Sequence, residues 1–339
     1  MNSEDSQYTQ YGLVRDMLAT VDIIAGFDPD RMMDVSADVS KVGKLLMTGE
    51  GSSRIFPAKS VIAHARRMGS PLQLHTEAGL QSQEYDLADW AVYALSNSGR
   101  TAEVIGLFEQ LKQAGHSHLY SLTAFADSKL ESLATTGHVL TCGEEGAVAA
   151  TKSVIEQALF YRALLEHADG NSTLKSRLAD LSGQFQEALT IPIPSDIIEK
   201  IANAGTIYWA GRNDGVAEEL TLKTNEITRK PADFLEGTYA VHGIEEVMAA
   251  GDVVIWIDPY KNSEAKFAEV LTKNIGVEII AIASRETSFP TIQISDAGDL
   301  SCFVQMAACW NVLVETGLKL GIDVDKPERA RKVGNEFTG

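Results

Sequence analysis

Lys44-Leu45-Leu46-Met47-Thr48-Gly49-Glu50-Gly51-Ser52-Ser53 reads as a short apolar strand that turns through two glycines into a helix. The pattern recurs at Thr206-Ile207-Tyr208-Trp209-Ala210-Gly211-Arg212-Asn213-Asp214-Gly215. After each copy come further apolar strands separated by amphipathic helices. They are Ala91–Ser96, His118–Leu122 and Val139–Thr141 in the first block, and Val253–Ile257 and Val277–Ile282 in the second. Strands apolar along their whole length, alternating with helices, indicate a parallel sheet covered on both faces. Two such blocks in one chain indicate an internal duplication. The expected fold class is therefore α/β, with two tandem doubly wound parallel-sheet subdomains. An N-terminal helical arm (1–34), a first domain (35–168), a second domain (190–325) and a C-terminal tail (326–339) complete the expected division. Ile191-Pro192-Ile193-Pro194-Ser195 punctuates the junction.

The chain has 339 residues, 45% of them hydrophobic, enough for two cores. Its formal charge of −18 disfavours nucleic acid and anionic membranes as partners. An anionic substrate would have to be held by local backbone dipoles. No apolar run approaches the roughly 18 residues needed to span a bilayer. The polar, acidic start Met1-Asn2-Ser3-Glu4-Asp5-Ser6 reads as neither a signal nor a transit peptide, so a cytoplasmic protein is expected. Three cysteines, Cys142, Cys302 and Cys309, form no CxxC motif and suit a reducing compartment. Cys302 and Cys309 lie on an apolar helical stretch and read as core residues. No cluster has metal-ligand spacing, and neither a metal nor an organic cofactor is expected. Six histidines, His64, His75, His116, His118, His138 and His167, show no pairing in the sequence and read as structural or exposed.

Ser96-Asn97-Ser98-Gly99-Arg100-Thr101 follows a buried strand and precedes a helix. That is the carboxyl end of a strand in an open α/β sheet, where ligands bind. Hydroxyls, an amide side chain and the free N–H groups of the helix start would converge there on a phosphate or sulfonate. An ordinary Ser/Thr-rich cap and turn is the plainer alternative. Gly49-Glu50-Gly51-Ser52-Ser53 is neither a P-loop nor a full dinucleotide fingerprint.

In Val216–Ile227 the apolar residues Val216, Leu220 and Ile227 share a stripe with Glu219, Lys223 and Glu226. Three ionisable groups pointing inward are costly unless each has a partner, so the stripe suggests a working site. The i, i+4 spacing of Glu219 and Lys223 fits an ion ladder on a half-exposed helix equally well.

Together these residues resemble the sugar isomerase (SIS) family, in particular the isomerase half of glutamine–fructose-6-phosphate amidotransferase and its stand-alone relatives, the sugar-phosphate isomerases, deaminases and deglycases. The resemblance runs over roughly residues 40 to 335, nearly the whole chain. The family's serine-rich Ser-Gln-Ser-Gly-x-Thr turn, which holds the sugar phosphate, looks like Ser96–Thr101. Asn97 stands where glutamine is usual, and Arg100 adds a positive charge. The Gly-Thr-Ser turn looks like Gly51-Ser52-Ser53. The Gly-Val-Ala-Ser-Thr-Lys segment, whose backbone contacts sugar hydroxyls, looks like Ala147-Val148-Ala149-Ala150-Thr151-Lys152. Glu219, Lys223 and Glu226 match the Glu-x-x-x-Lys-x-x-Glu helix, His242 matches the following histidine, and Lys332 matches the tail lysine after Asp325-Lys326-Pro327. Where the family usually has His-Gly-Pro, this chain has His242-Gly243-Ile244.

The resemblance implies an aldose–ketose isomerase of a sugar bearing a 6-phosphate or 6-sulfonate. His242 would open the ring, Glu226 would carry the proton between C1 and C2, Lys332 or Lys223 would neutralise the oxyanion, and Glu219 would orient Lys223. Ser52, Ser53, Ser96, Asn97, Ser98, Arg100, Thr101, Val148, Ala149 and Ala150 would bind the sugar. The same set can expel an amine, giving an amino-sugar-6-phosphate deaminase or a fructosamine-6-phosphate deglycase. A non-catalytic sugar-phosphate sensor would want a DNA-binding domain, and none is read in this acidic chain. The family also implies a homodimer with a shared active site. Because the chain opens on Met1-Asn2 with no N-terminal cysteine nucleophile, synthesis of glucosamine phosphate from glutamine is not expected of it.

Overall fold

A computed structural model describes residues 1–338 and forms two compact units. The first comprises 22–145, 150–179 and 330–339, and the second 1–21, 146–149 and 180–329. Helix α1 (Gly12–Gly26) contains the first boundary.

In the first unit, α2 (Met33–Val42) leads into β1 (Lys44–Gly49), α3 (Ile55–Met68), β2 (Gln73–Ala78), β3 (Ala91–Leu95), α4 (Ala102–Gln113), β4 (Leu119–Thr123), β5 (Thr136–Val139) and α5 (Lys152–Ala168). The sheet order is β2-β1-β3-β4-β5, and every neighbouring pair is parallel. β3 and β4 are buried throughout, which is why their sequences carry no polar alternation. Leu46, Val92 and Ala94 on the sheet meet Val104, Leu107, Phe108 and Leu111 of α4 in one core cluster.

The remaining elements are α6 (Leu174–Thr190), α7 (Ser195–Asn203), β6 (Ile207–Gly211), α8 (Val216–Thr228), β7 (Ala232–Glu236), β8 (Val253–Ile257), β9 (Glu278–Ala283), β10 (Thr291–Gln293) and α9 (Ser301–Lys319). The second unit repeats the topology, with order β7-β6-β8-β9-β10, again parallel throughout. In each sheet the order reverses beside the first strand, between β1 and β3 and between β6 and β8. Such reversals open a crevice at the carboxyl ends of the strands.

The central strands lie where the apolar runs predict. The edge strands do not follow from the sequence reading. β5 ends at Val139, where a strand was expected to begin, and β2, β7 and β10 had no expected counterpart. β2 and β7 alternate between exposed and half-buried positions over much of their length, so their sequences look like polar connections. Two of the histidines read as structural or exposed make side-chain contacts that their spacing does not announce. Nδ1 of His118 lies 2.9 Å from Asp38 Oδ2, and the Tyr93 hydroxyl is 3.1 Å from Nδ1 of His138. Cys309 is buried and Cys302 half-buried. Among the described residues no helix is long and apolar enough to cross a membrane, and no His, Cys, Asp and Glu cluster could hold a metal ion.

Candidate functional site

In the first unit the Ser96–Thr101 turn leaves β3 at the switch point. Ser96 Oγ and Thr101 Oγ1 are 2.8 Å apart, and the Gly99 N–H donates to Ser96 Oγ at 3.1 Å. Gly99 has φ +63°, and a Cβ there would sit 2.3 Å from the Ser128 side chain. Only glycine fits both demands. Nδ2 of Asn97 is buried without a hydrogen-bond partner among the described residues, a donor available to a ligand.

The turn is less open than the sequence suggests. The Ala102 N–H, at the start of α4, donates to the Asn335 carbonyl at 3.1 Å. The Phe337 N–H donates to the Arg100 carbonyl at 2.9 Å, Thr101 and Glu336 form an antiparallel bridge, and Arg100 Nη1 lies 2.6 Å from the Glu336 carboxylate. The chain end therefore lies alongside the turn and takes up one of the helix-start amides. Beside it, Ser98, Arg100, Ser128, Lys129 and Phe337 line a cavity of about 600 Å³.

Across the switch point, β1 ends in a 3-10 turn at Gly51–Ser53. Gly49 permits this approach, since a Cβ on it would stand 2.9 Å from the Leu95 carbonyl. Ser52 is buried, and Gln157 Nε2 donates to Ser53 Oγ at 3.4 Å. Burial raises the pKa of Glu50, whose carboxylate accepts the Gly79 N–H at 2.9 Å.

Glu145 is a candidate site residue that the sequence did not reveal. Fully buried, it accepts N–H bonds from Thr151 (2.7 Å) and Ser153 (3.2 Å) and stands 2.7 Å from Lys332 Nζ. It thus ties the tail lysine to the start of α5, next to Ala150. Burial works against its charge, but Lys332 and the two amides outweigh burial and hold the carboxyl below its usual range. A depressed carboxyl stabilises its contacts above the ordinary carboxylate value of about 4.3, and the stabilisation is lost as pH falls through the folded value. Hydrogen-exchange protection of residues 330–338 is therefore expected to hold steady from neutral pH down to that range and to drop below it. Glu145→Gln should remove the pH dependence. Loss of protection already between pH 7 and 5 would contradict the assignment.

The second unit holds the charged helix. Glu219 and Lys223 have no exposed side-chain surface, and Glu226 is 21% exposed. Lys223 Nζ lies 3.2 Å from Glu219 and 2.7 Å from Glu226. An ion ladder on an exposed face is therefore excluded, because the ammonium is sealed between two carboxylates and only Glu226 reaches toward solvent. Burial opposes the Lys223 charge, but Glu226 and Glu219 outweigh it and raise its pKa, so Lys223 stays protonated at neutral pH.

Local contacts fix this helix. Gly215 (φ +86°) opens it, and Trp209 Nε1 donates to Thr224 Oγ1 at 2.7 Å. On α9, Gly317 allows close packing, since a Cβ there would meet the Ile227 carbonyl at 3.1 Å. Arg229 ends the helix at φ +59°, and its guanidinium donates to the Glu226 carbonyl and, at 3.1 Å each, to the carbonyls of Asp323 and Lys326. Asp325 accepts the N–H groups of Gly12 (2.7 Å) and Leu13 (2.8 Å), so the acid of the tail motif caps α1.

His242 follows a 3-10 turn and precedes Gly243 (φ +113°). It is exposed, and its imidazole has no partner among the described residues. Val148 is half-buried and Ala149 buried in an irregular segment, anchored where the Gly146 N–H donates to Asp16 Oδ2 at 2.6 Å. The site residues thus form two groups. Ser52, Ser53, Ser96–Thr101, Ala150 and Lys332 belong to the first unit, and Val148, Ala149, Glu219, Lys223, Glu226 and His242 to the second.

No protein-family model matches the chain. In sequence it is 25% identical, over 313 residues, to the glutamine–fructose-6-phosphate aminotransferase (isomerizing) of Neisseria meningitidis serogroup B. That match covers 85% of this chain and 50% of the relative. The chain spans about half the length of the curated relatives it matches. In fold it matches the C-terminal domain of glucosamine-fructose-6-phosphate aminotransferase from Francisella tularensis, with a TM-score of 0.77 at 14% identity over 94% of this chain and 98% of that one. It also matches tagatose-6-phosphate ketose/aldose isomerase from Escherichia coli, with a TM-score of 0.75 at 17% identity over 96% and 98%. The repeated five-stranded parallel sheets give the chain the fold of these solved structures, and along most of its length its sequence is similar to the isomerizing aminotransferases.

Proposed function

We propose that the protein interconverts an aldose and a ketose bearing a 6-phosphate or 6-sulfonate, by proton transfer between C1 and C2 through an enediol. The buried Glu219–Lys223–Glu226 trio carries this reading, because it presents one partly open carboxylate on an otherwise sealed charge cluster. His242 exchanges the proton of the ring oxygen and opens the sugar. Glu226 then removes the C2 proton of the open aldose and returns it at C1. Lys223 is a positioning residue, since its ammonium is sealed by two carboxylates. Neutralising the developing oxyanion falls to Lys332. Ser96–Thr101 grips the anionic terminus, with the buried Nδ2 of Asn97 among its donors. The exposure of His242 supports a homodimer in which each chain lends its imidazole to the other.

The relatives include both an aminotransferase and, at a TM-score of 0.69, a glucosamine-6-phosphate deaminase. Deamination is therefore an alternative outcome of the test. Purified protein is given 6-phospho and 6-sulfo aldoses, amino sugars and fructosamines, and ketose formation is read beside ammonia release. Ketose from an aldose without ammonia is the expected result. Ammonia from an amino sugar with no isomerisation of the simple aldoses would overturn it.

A further inference from the structure

The second unit has its own crevice at the point where its strand order reverses, and the proposed reaction makes no use of it. β6 ends at Gly211 and is followed by Arg212, and β8 ends at Ile257 and is followed by the loop Asp258–Ser263. This is the place that, in the first sheet, holds Gly51–Ser53 and Ser96–Thr101. A cavity of about 600 Å³ opens there, at the carboxyl ends of β6, β7, β8 and β9. Its lining is cationic where the first crevice is rich in serine. Arg212, Lys261 and Arg285 all face it, together with Thr238 and Ser263.

Both guanidiniums are held in place. Arg212 Nη1 donates to the Asp258 carbonyl at 2.8 Å and lies 2.6 Å from the Asp258 carboxylate, with its guanidinium 4.5 Å from the Tyr260 ring centre. Arg285 Nη2 donates to the Pro259 carbonyl at 2.6 Å and to Glu264 at 2.7 Å. All the bonds of Arg212 to described residues run through Nη1, so Nε and Nη2 remain for a ligand. Asp258 adopts φ +43°, a strained conformation for a non-glycine residue and one that collects at ligand sites. The acids at the crevice, Asp258 and Glu264, are each neutralised by an arginine, and Lys261 leaves the group with a net positive charge in a chain of net charge −18. Preorganised guanidiniums with a hydroxyl rim suit a phosphate group. The volume admits a small metabolite carrying one.

We propose that this crevice binds a phosphorylated small molecule at a second site, separate from the Ser96–Thr101 turn. The inference does not depend on the proposed reaction. The test is a site-resolved amide NMR titration of the full chain, with inorganic phosphate in one arm and glucose 6-phosphate in the other. Saturable shifts are expected at Thr238, Tyr260, Lys261, Asn262 and Ser263 in at least one arm. A response to inorganic phosphate would show that the phosphate group suffices, and a response only to glucose 6-phosphate would show that the sugar is needed as well. Lys261 is exposed, so Lys261→Glu should keep the rest of the spectrum while weakening saturation at this loop by tenfold or more. Shifts confined to the 96–101 amides, or a loop that saturates equally in Lys261→Glu, would overturn the proposal. A failure of the first site would appear separately, as unshifted 96–101 amides.

Discussion

Glu226→Gln should bind sugar phosphate within a few-fold of the native affinity and lose turnover by about 10²–10⁴. The amide keeps the shape of the side chain and still accepts a hydrogen bond from Lys223, now 2.7 Å from the carboxylate. It cannot take a proton from C2 at neutral pH. Because Glu226 is partly open while Glu219 is sealed, Glu219→Gln should lower turnover less. Comparing kcat with KM in the two variants separates the roles. If Glu226→Gln kept near-native kcat, another base would have to be sought.

Lys223→Met should strongly destabilise the second unit. It leaves Glu219 without its cation in a place with no exposed side-chain surface. Removing one partner of a buried pair typically costs about 3–5 kcal/mol. The raised pKa of Lys223 has a definite consequence for pH. A raised lysine stabilises the fold fully below its ordinary value and loses that contribution only as pH rises through the folded one. The cluster should therefore contribute in full throughout the neutral range. Thermal melting of Lys223→Met beside Glu219→Leu/Lys223→Met checks this. The single variant should melt well below the native protein, and the double variant should recover much of the loss while staying nearly inactive. A single variant that melts like the native chain would mean that the ammonium is not sealed as described.

How far the sequence could be read depended on whether a residue signals through its side chain or its backbone. The central strands β3, β6 and β8 declare themselves by unbroken apolar runs. The charged helix declares itself because Glu219, Lys223 and Glu226 interrupt an apolar stripe at helical spacing. β2, Gln73-Leu74-His75-Thr76-Glu77-Ala78, is an edge strand with one wet side, so its composition is that of a loop. Glu145 is one acid among 47 acidic residues, and two of its partners are main-chain amides that no side-chain pattern announces. The chain end is hidden in the same way. Asn335 and Phe337 dock on Ala102 and Arg100 through main-chain hydrogen bonds, and the side-chain contacts that accompany them, Arg100–Glu336, Asn335–Glu103 and Lys129–Phe337, join residues far apart in the sequence. Arg229 is hidden by its backbone, since a left-handed arginine that closes the charged helix has no spacing signature.

That tail bears on the proposed binding of an anionic sugar terminus at the Ser96–Thr101 turn. Glu336 occupies Arg100, and the Asn335 carbonyl occupies the Ala102 amide. A phosphate entering the turn would compete with both, and Ser96, Ser98, Thr101 and Asn97 supply the remaining donors.

Hydrogen exchange on the sugar itself tests the role of Glu226 most directly. A hexose 6-phosphate that the native chain isomerises is incubated in heavy water, and deuterium at C1 and C2 is followed by NMR. The native chain should place deuterium at these carbons, because a carboxylate that lifts a proton trades part of it with solvent before returning it. Glu226→Gln should leave both carbons unlabelled while the sugar still binds. Native-rate labelling by Glu226→Gln would contradict the assignment of the proton to that carboxylate.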